Sequence, residues 1–316
     1  MNPVSPYVGR LAPSPTGAQH VGNARTYLIA WLEARSARGR IALRIEDIDS
    51  PRIKAGAAEQ ALRDLRWIGL DWDGEPLVQT QRLAHYQSVL ADFRQREFVY
   101  PCTCTRTDVA SAASAPHQEH EGPAYPGTCA YRQASDADAL DRPYSWRFRV
   151  TDSPAFNDGF CGPVQIDIRQ IGGDFVVWKS AGTPAYQLAV VVDDAAQGVT
   201  EVIRGDDLLA STPRQILLYR AMGLTPPRFT HVPLVVGPDG RRLAKRHGDT
   251  RLSTLRDAGV EPEALVGLLA WSCGWLPEPE PISAADLVPR FRLDSMPHQP
   301  FVLSPELLSK IGYRVS

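Results

Sequence analysis

Lysine is scarce in this chain: of 34 basic residues only four are lysines, Lys54, Lys179, Lys245 and Lys310. A lysine set among arginines, as Lys245 is in RRLAKRH, therefore stands out. Excess charge is also missing, and a formal net charge of −2 provides no global field to draw the surface to nucleic acid. Any RNA contact must come from a local patch. Long apolar runs are absent as well; the best, LAVVV at 188–192, is strand-sized and far short of a membrane span. The opening MNPVSPYVGR has no apolar core of a signal peptide. Five cysteines in 316 residues do not make a disulfide scaffold. The expectation is a cytoplasmic protein that neither spans nor binds a membrane.

What is present is alternation. VGRLA (8–12) reads as a strand, 20–38 as a helix with apolar Ala24, Leu28, Trp31 and Leu32, and IALRIE (41–46) as the next strand. Helical spacing recurs over 57–68 and over 81–97, the latter through Leu83, Tyr86, Leu90 and Phe93. Strand–helix–strand order predicts an α/β fold, a Rossmann-like doubly wound parallel sheet. From Phe98 the texture changes to a Pro-, Ala-, Ser- and His-rich stretch that reads as an insertion, followed by strand-like runs at 145–150, 164–168 and 174–178. Alternation then resumes through YQLAVVVDD, VTEVIR, a helix at 208–222 and the strand HVPLVV (231–236). The last eighty residues look mainly helical, with an amphipathic run near 261–272. The expected organisation is residues 1–97 and 187–237 as two halves of a catalytic domain, 98–186 as the insertion, and 238–316 as a lysine loop and small helical domain.

The stretch LAPSPTGAQHVGN (11–23) lies between the first strand and the first helix. A connecting loop is its ordinary reading. A helix N-terminus after a strand also presents free N–H groups and a positive dipole end, which suit phosphate. Gly17 and Gly22 would let backbone approach a ligand, and His20 is either a phosphate donor or a satisfied loop histidine. Cys102, Cys104 and Cys129 cluster in the insertion. Spacing leaves both free buried thiols and a structural zinc open, with His117, His120 or Tyr125 as the fourth ligand. Cys161 and Cys273 are isolated and read as packing residues. No Ser–His–Asp arrangement or G-x-S-x-G elbow is found.

Five ordered blocks between residues 8 and 248 carry a resemblance: APSPTG with His20-Val21-Gly22-Asn23, LRIEDID (43–49), TPAYQLAVVVDD (183–194), VIRGDDLLASTPRQILLYRAMG (202–223) and RRLAKRHG (241–248). Together they resemble the glutamyl branch of the class I aminoacyl-tRNA synthetases. The resemblance implies that Pro13, His20, Gly22 and Asn23, with Arg242, Leu243 and Lys245 of the second nucleotide motif, bind ATP, and that His20 and Lys245 are catalytic. It implies that Arg10, Leu11, Ala12, Pro13, Ser14, Glu46, Tyr186 and Arg204 form a glutamate site. In that site Arg10, Tyr186 and Arg204 would read the side-chain carboxylate and Glu46 the α-amino group. Three positions depart from the family motifs: Arg242 and Ala244 replace a lysine and a serine, and Asn23 replaces a histidine. In such enzymes the nucleophile is the substrate's own carboxylate, so the protein supplies position and electrostatics. Some members carry a Cys-x-Cys…Tyr-x3-Cys zinc site, which points to Cys102, Cys104, Tyr125 and Cys129.

Full-length members continue into a long anticodon-binding region. A compact chain of this size has a radius of gyration of roughly 20 Å, too short to grip a tRNA at both ends. The chain therefore resembles the short glutamyl-queuosine tRNA(Asp) synthetases, with no anticodon-binding domain. The implied reaction is ATP- and Mg2+-dependent activation of L-glutamate without tRNA, then transfer to queuosine in the anticodon of tRNA(Asp). A short enzyme charging a tRNA 3′ end and a non-catalytic RNA-binding paralogue are the alternatives. A monomer is expected.

Overall fold

The computed structural model describes residues 6–15, 18–48, 53–112, 124–243 and 249–313. Strand β1 (Val8–Leu11) leads to α1 (Val21–Ser36), β2 (Arg40–Ile45), α2 (Ala57–Trp67), β3 (Leu77–Val78) and α3 (Leu83–Gln95). β2 pairs in parallel with both β1 and β3, a pairing that needs long crossovers and receives them as helices. The apolar positions of α1, Ala24, Leu28, Trp31 and Leu32, are all buried. In α3 the same holds for Tyr86, Leu90 and Phe93, whereas Leu83, the first helical residue, stays exposed.

After Phe98 the chain forms β4 (Val99–Cys102), α4 (Arg106–Ala112), β5 (Ser145–Phe148), the hairpin strands β6 (Phe156–Asp158) and β7 (Gly162–Val164), and β8 (Phe175–Trp178). β5 runs antiparallel between β4 and β8. The strand expected over 164–168 is not formed beyond Val164. Beyond it the chain is tied to Ser153 instead: the Gln165 side-chain amide donates to the Ser153 carbonyl, and the Ile168 N–H to Ser153 Oγ.

The run LAVVV belongs to a helix, α5 (Tyr186–Gln197). Residues Leu188 to Asp194 are all buried, so no polar stripe marks the helical period. Gly198 closes it with φ 66°, a left-handed position that favours glycine. Then come β9 (Glu201–Gly205), α6 (Thr212–Ala221) and β10 (Arg228–Val232), with β9 and β10 parallel. β9 lies beside β1: the Thr200 N–H donates to the Val8 carbonyl and the Val8 N–H to Thr200 Oγ1, both at 2.9 Å. The parallel strands thus stand in the order β3, β2, β1, β9, β10. Their connections wind outward in opposite directions from the β1–β9 seam, and such a reversal opens a crevice at the strands' carboxyl ends.

HVPLVV is two strands rather than one. Pro233 has no N–H to continue the ladder, so β10 stops at Val232, and β11 (Val235–Val236) pairs instead with β12 (Phe301–Val302). Among the described residues four α-helices follow: α7 (Leu252–Asp257), α8 (Pro262–Ser272), α9 (Ala284–Leu287) and α10 (Pro305–Lys310). Helix α8 is not amphipathic as expected; Leu265 through Ala270 are all buried. They belong to an apolar core continuous with Leu11 and α1. Among the described residues no helix is long and apolar enough to cross a membrane.

Candidate active site

A cleft of about 510 Å³ opens at the β1–β9 seam. Arg10, Ala12 and Ser14 reach it from β1 and its exit, His20, Gly22 and Asn23 from the start of α1, and Glu46 from the end of β2. Tyr186 at the start of α5, Arg204 in β9, and Arg242 and Leu243 beyond β11 complete this set. Leu11 and Pro13 do not line the cleft. Leu11 is fully buried in the core, and Pro13 contributes a carbonyl that accepts the Glu46 N–H at 3.0 Å. Lys245 lies outside the described residues, with the rest of 244–248.

His20 is the N-cap of α1. Its Nδ1 accepts the Gly22 N–H at 3.1 Å, while Asn23 Oδ1 accepts the His20 N–H at 3.1 Å, a reciprocal cap. The Val21 N–H is engaged too, by the Thr250 carbonyl at 3.0 Å. The protein itself therefore uses two of the helix's first donors. Burial, reinforced by Arg242, holds His20 below the usual histidine range. A neutral ring whose Nδ1 accepts must carry its proton on Nε2, and that N–H is the donor His20 has left for a ligand.

Arg204 is buried in β9, and four hydrogen bonds hold its guanidinium: Nε to His231 Nε2 at 2.9 Å, Nη1 to Gln215 Oε1 at 2.9 Å, and Nη2 to Thr212 Oγ1 at 2.7 Å and the Leu208 carbonyl at 3.4 Å. Every one of these acceptors is neutral. Among the described residues no carboxylate lies within ion-pair distance of Arg204. Burial pulls its pKa down, with Tyr186 opposing. A buried guanidinium without a paired anion is costly, and an anion entering the cleft relieves that cost.

Arg10 differs. Its Nε stands 3.3 Å from Asp194 Oδ1, and Arg44, fully buried, donates to the same oxygen at 2.6 Å. Arg44 also directs Nε and Nη2 at Glu46 Oε1, at 3.2 and 3.0 Å. This fixes the Glu46 carboxylate at the cleft wall, suited to receive a cationic group. Tyr186 is 36% exposed on the same wall.

Several lining residues were not anticipated, among them Gln19, Tyr27 and Asp207. Tyr27 donates to Gln19 Oε1 at 3.1 Å, and Asp207 pairs with Arg242 across the mouth. Gln19 and Tyr27 carry no periodic or charge signal. Asp207 had one, since an acidic loop in GDD and a basic loop in GRR are natural partners.

In the insertion, the sulfurs of Cys102, Cys104 and Cys129 lie within 4.8 Å of one another. Cys104 and Cys129 are 3.7 Å apart, close to the roughly 3.8 Å edge of a tetrahedron with 2.3 Å metal–sulfur bonds. The Tyr125 hydroxyl faces the same point, 3.5 Å from Cys102 Sγ, and accepts the Cys129 N–H at 2.7 Å. The donor set fits zinc. His117 and His120 lie outside the described residues. Cys273 is buried as expected, but Cys161 is exposed, because it sits on the turn between β6 and β7 rather than in a core.

The cleft joins strand ends, a capped helix and a buried unpaired guanidinium, and its likeness to known proteins is specific. Residues 7–286 match the family described as tRNA synthetases class I (E and Q), catalytic domain. The chain belongs to that family. It is an ATP-dependent ligase. A glutamyl-Q tRNA(Asp) synthetase of Rhodopirellula baltica is 53% identical over 87% of each chain. Another, from Symbiobacterium thermophilum, is 49% identical over 96% of this chain and 98% of the relative. A glutamate–tRNA ligase of Geobacter sulfurreducens is 40% identical over 95% of this chain, which spans 64% of that protein. The crystal structure of glutamate-tRNA synthetase from Elizabethkingia anophelis is similar at TM-score 0.80 and 27% identity, over 96% of this chain and 69% of that one.

Proposed function

We propose that this enzyme activates L-glutamate with ATP as glutamyl-adenylate, without tRNA, and transfers the glutamate to queuosine in the anticodon of tRNA(Asp). The observation that carries the reading is buried Arg204, held by neutral groups and facing the cleft that Arg10, Glu46 and Tyr186 also line. Arg204, Tyr186 and Arg10 receive the side-chain carboxylate, and Glu46, oriented by Arg44, receives the α-ammonium. Ala12 and Ser14 flank the amino acid, while Leu11 and Pro13 stand behind them, Pro13 holding the Glu46 N–H.

The α-carboxylate is then free to attack the α-phosphorus of ATP in line, with pyrophosphate as leaving group. Negative charge builds on the α-phosphate and on pyrophosphate. His20 Nε2–H and the start of α1 at Asn23 meet it on one side, and Gly22, whose N–H His20 Nδ1 takes, lets the nucleotide approach the backbone. Arg242 and Leu243 line the other side, and Lys245 of the same basic loop supplies a further cation to the nucleotide. Mg2+ accompanies the nucleotide and neutralises phosphate charge. No protein nucleophile is required.

Cys102, Cys104, Tyr125 and Cys129 hold one structural Zn2+, which ties the end of β4 to the segment at 125–129. The C-terminal helices share the apolar core of β1 and α1. The enzyme acts as a cytoplasmic monomer. Support for queuosine as acceptor comes from the relatives named glutamyl-Q tRNA(Asp) synthetase, of nearly the same length as this chain. The test is pyrophosphate exchange: label should enter ATP with glutamate present and RNA absent. No exchange without tRNA would reject this reading.

A further inference from the structure

Behind the cleft, the chain that holds Arg204 runs on one residue further than the substrate site requires. Arg204 Nε can only donate, so His231 Nε2, 2.9 Å away, must accept. Thr212 Oγ1, itself accepting from Arg204 at 2.7 Å, stands 3.2 Å from the same nitrogen and can donate to it. The proton of His231 therefore sits on Nδ1, which faces Asp158 Oδ2 at 2.6 Å. Asp158 and His231 are both fully buried, and Asp158 comes from the β6–β7 hairpin rather than from the parallel sheet.

The other oxygen of Asp158 is fully committed. Oδ1 accepts the backbone N–H of Phe160 at 3.0 Å, of Cys161 at 2.9 Å and of His231 at 3.1 Å. The carboxylate therefore cannot rotate, and its free acceptor points only at His231 Nδ1. We propose that Asp158 and His231 are a positioning pair that aims the Arg204 guanidinium by fixing the His231 tautomer, so that glutamate recognition is set from within the β6–β7 hairpin. The inference rests on Arg204 reading the substrate's side-chain carboxylate.

Asp158→Asn separates the effect from bulk structure. Three backbone donors retain the amide oxygen at the Oδ1 position, so the amide NH2 faces His231 Nδ1. The ring must then accept at Nδ1 and carry its proton on Nε2, which puts two donors against each other at Arg204 Nε. Two readouts decide. The first is the 15N spectrum of the His231 ring, assigned by comparison with His231→Gln; the wild type should show protonated Nδ1, and Asp158→Asn protonated Nε2. The second is glutamate-dependent pyrophosphate exchange. There KM for glutamate should rise on the order of tenfold to a hundredfold, the effect of a mispaired buried donor. By contrast kcat should change by less than about threefold, because the contact is equal in ground and transition states.

Protonated Nε2 in the wild type overturns the proposal, and that measurement needs no variant to fold. A normal glutamate KM in Asp158→Asn, with KM raised in Arg204→Gln, overturns the positioning pair alone. A normal KM in both variants overturns the assignment of Arg204 to the substrate.

Discussion

The Nδ1 atom of His20 accepts the backbone N–H of Gly22 at 3.1 Å, so the histidine of the first nucleotide motif is also the cap of the helix it introduces. A Cβ added at Gly22 would stand 3.0 Å from His20 Cε1 and 3.1 Å from Nδ1. Gly22→Ala should therefore push the ring aside. Loss of the cap should cost about 1 kcal/mol in thermal or denaturant unfolding. The pyrophosphate-exchange rate should fall by more than that, since Nε2–H is displaced with the ring. A variant that loses stability but keeps full exchange would detach His20 from the chemistry.

The same cap gives a pH dependence with a definite sign. Burial first, and Arg242 second, hold the folded-state pKa of His20 below its ordinary value of 6.5. Below that ordinary value the unfolded chain binds the proton more readily than the native chain. Stability from the neutral ring is thus present in full above about pH 6.5 and is lost as pH falls towards and below it. Protonated Nδ1 also becomes a donor facing the Gly22 donor. Exchange activity should fall on acidification, and Arg242→Gln should move the His20 titration upward, though not fully to 6.5, because burial remains. An NMR titration of the ring checks both; a downward shift would contradict the account.

Arg204→Gln should raise KM for glutamate by about tenfold to a hundredfold, the worth of a charge-assisted hydrogen bond. Arg204→Lys should recover little of this, since an ammonium cannot reproduce the fork that meets His231, Gln215 and Thr212 together. Steady-state exchange at varied glutamate measures both; unchanged kinetics in Arg204→Gln would remove Arg204 from the site.

Tyr125→Phe keeps the ring, over which the Arg147 guanidinium lies 3.8 Å from the centroid, and removes only the oxygen. If that oxygen is the fourth zinc ligand, the variant should release zinc to a chelator roughly tenfold or more readily, and the wild type should lose thermal stability when stripped. Full zinc retention would point instead to His117 or His120.

Legibility in the sequence followed the physics of each element. Charged and glycine residues at strand ends were readable, because a parallel sheet delivers strand ends to one edge. Arg10, Glu46 and Arg204, 194 positions apart at the extremes, stand around one cleft for that reason. The buried helix α5 was not readable. LAVVV lacks the polar stripe that reveals a helical period, whereas 261–272 was legible as a helix but not as a largely buried one. Pairings across the fold were equally silent. Nothing in the order of residues brings Asp158 to His231, 73 positions away, or gives Asp194 to both Arg10 and Arg44. Those contacts exist only once the hairpin and α5 are packed.

The most direct test of the central claim is where the glutamate goes. The enzyme, ATP, Mg2+, radiolabelled glutamate and queuosine-containing tRNA(Asp) are incubated together, the RNA is digested and the label is located. The account predicts label in the anticodon fragment and none in tRNA lacking queuosine. Label on the terminal adenosine would contradict it and make this a short enzyme that charges the tRNA 3′ end.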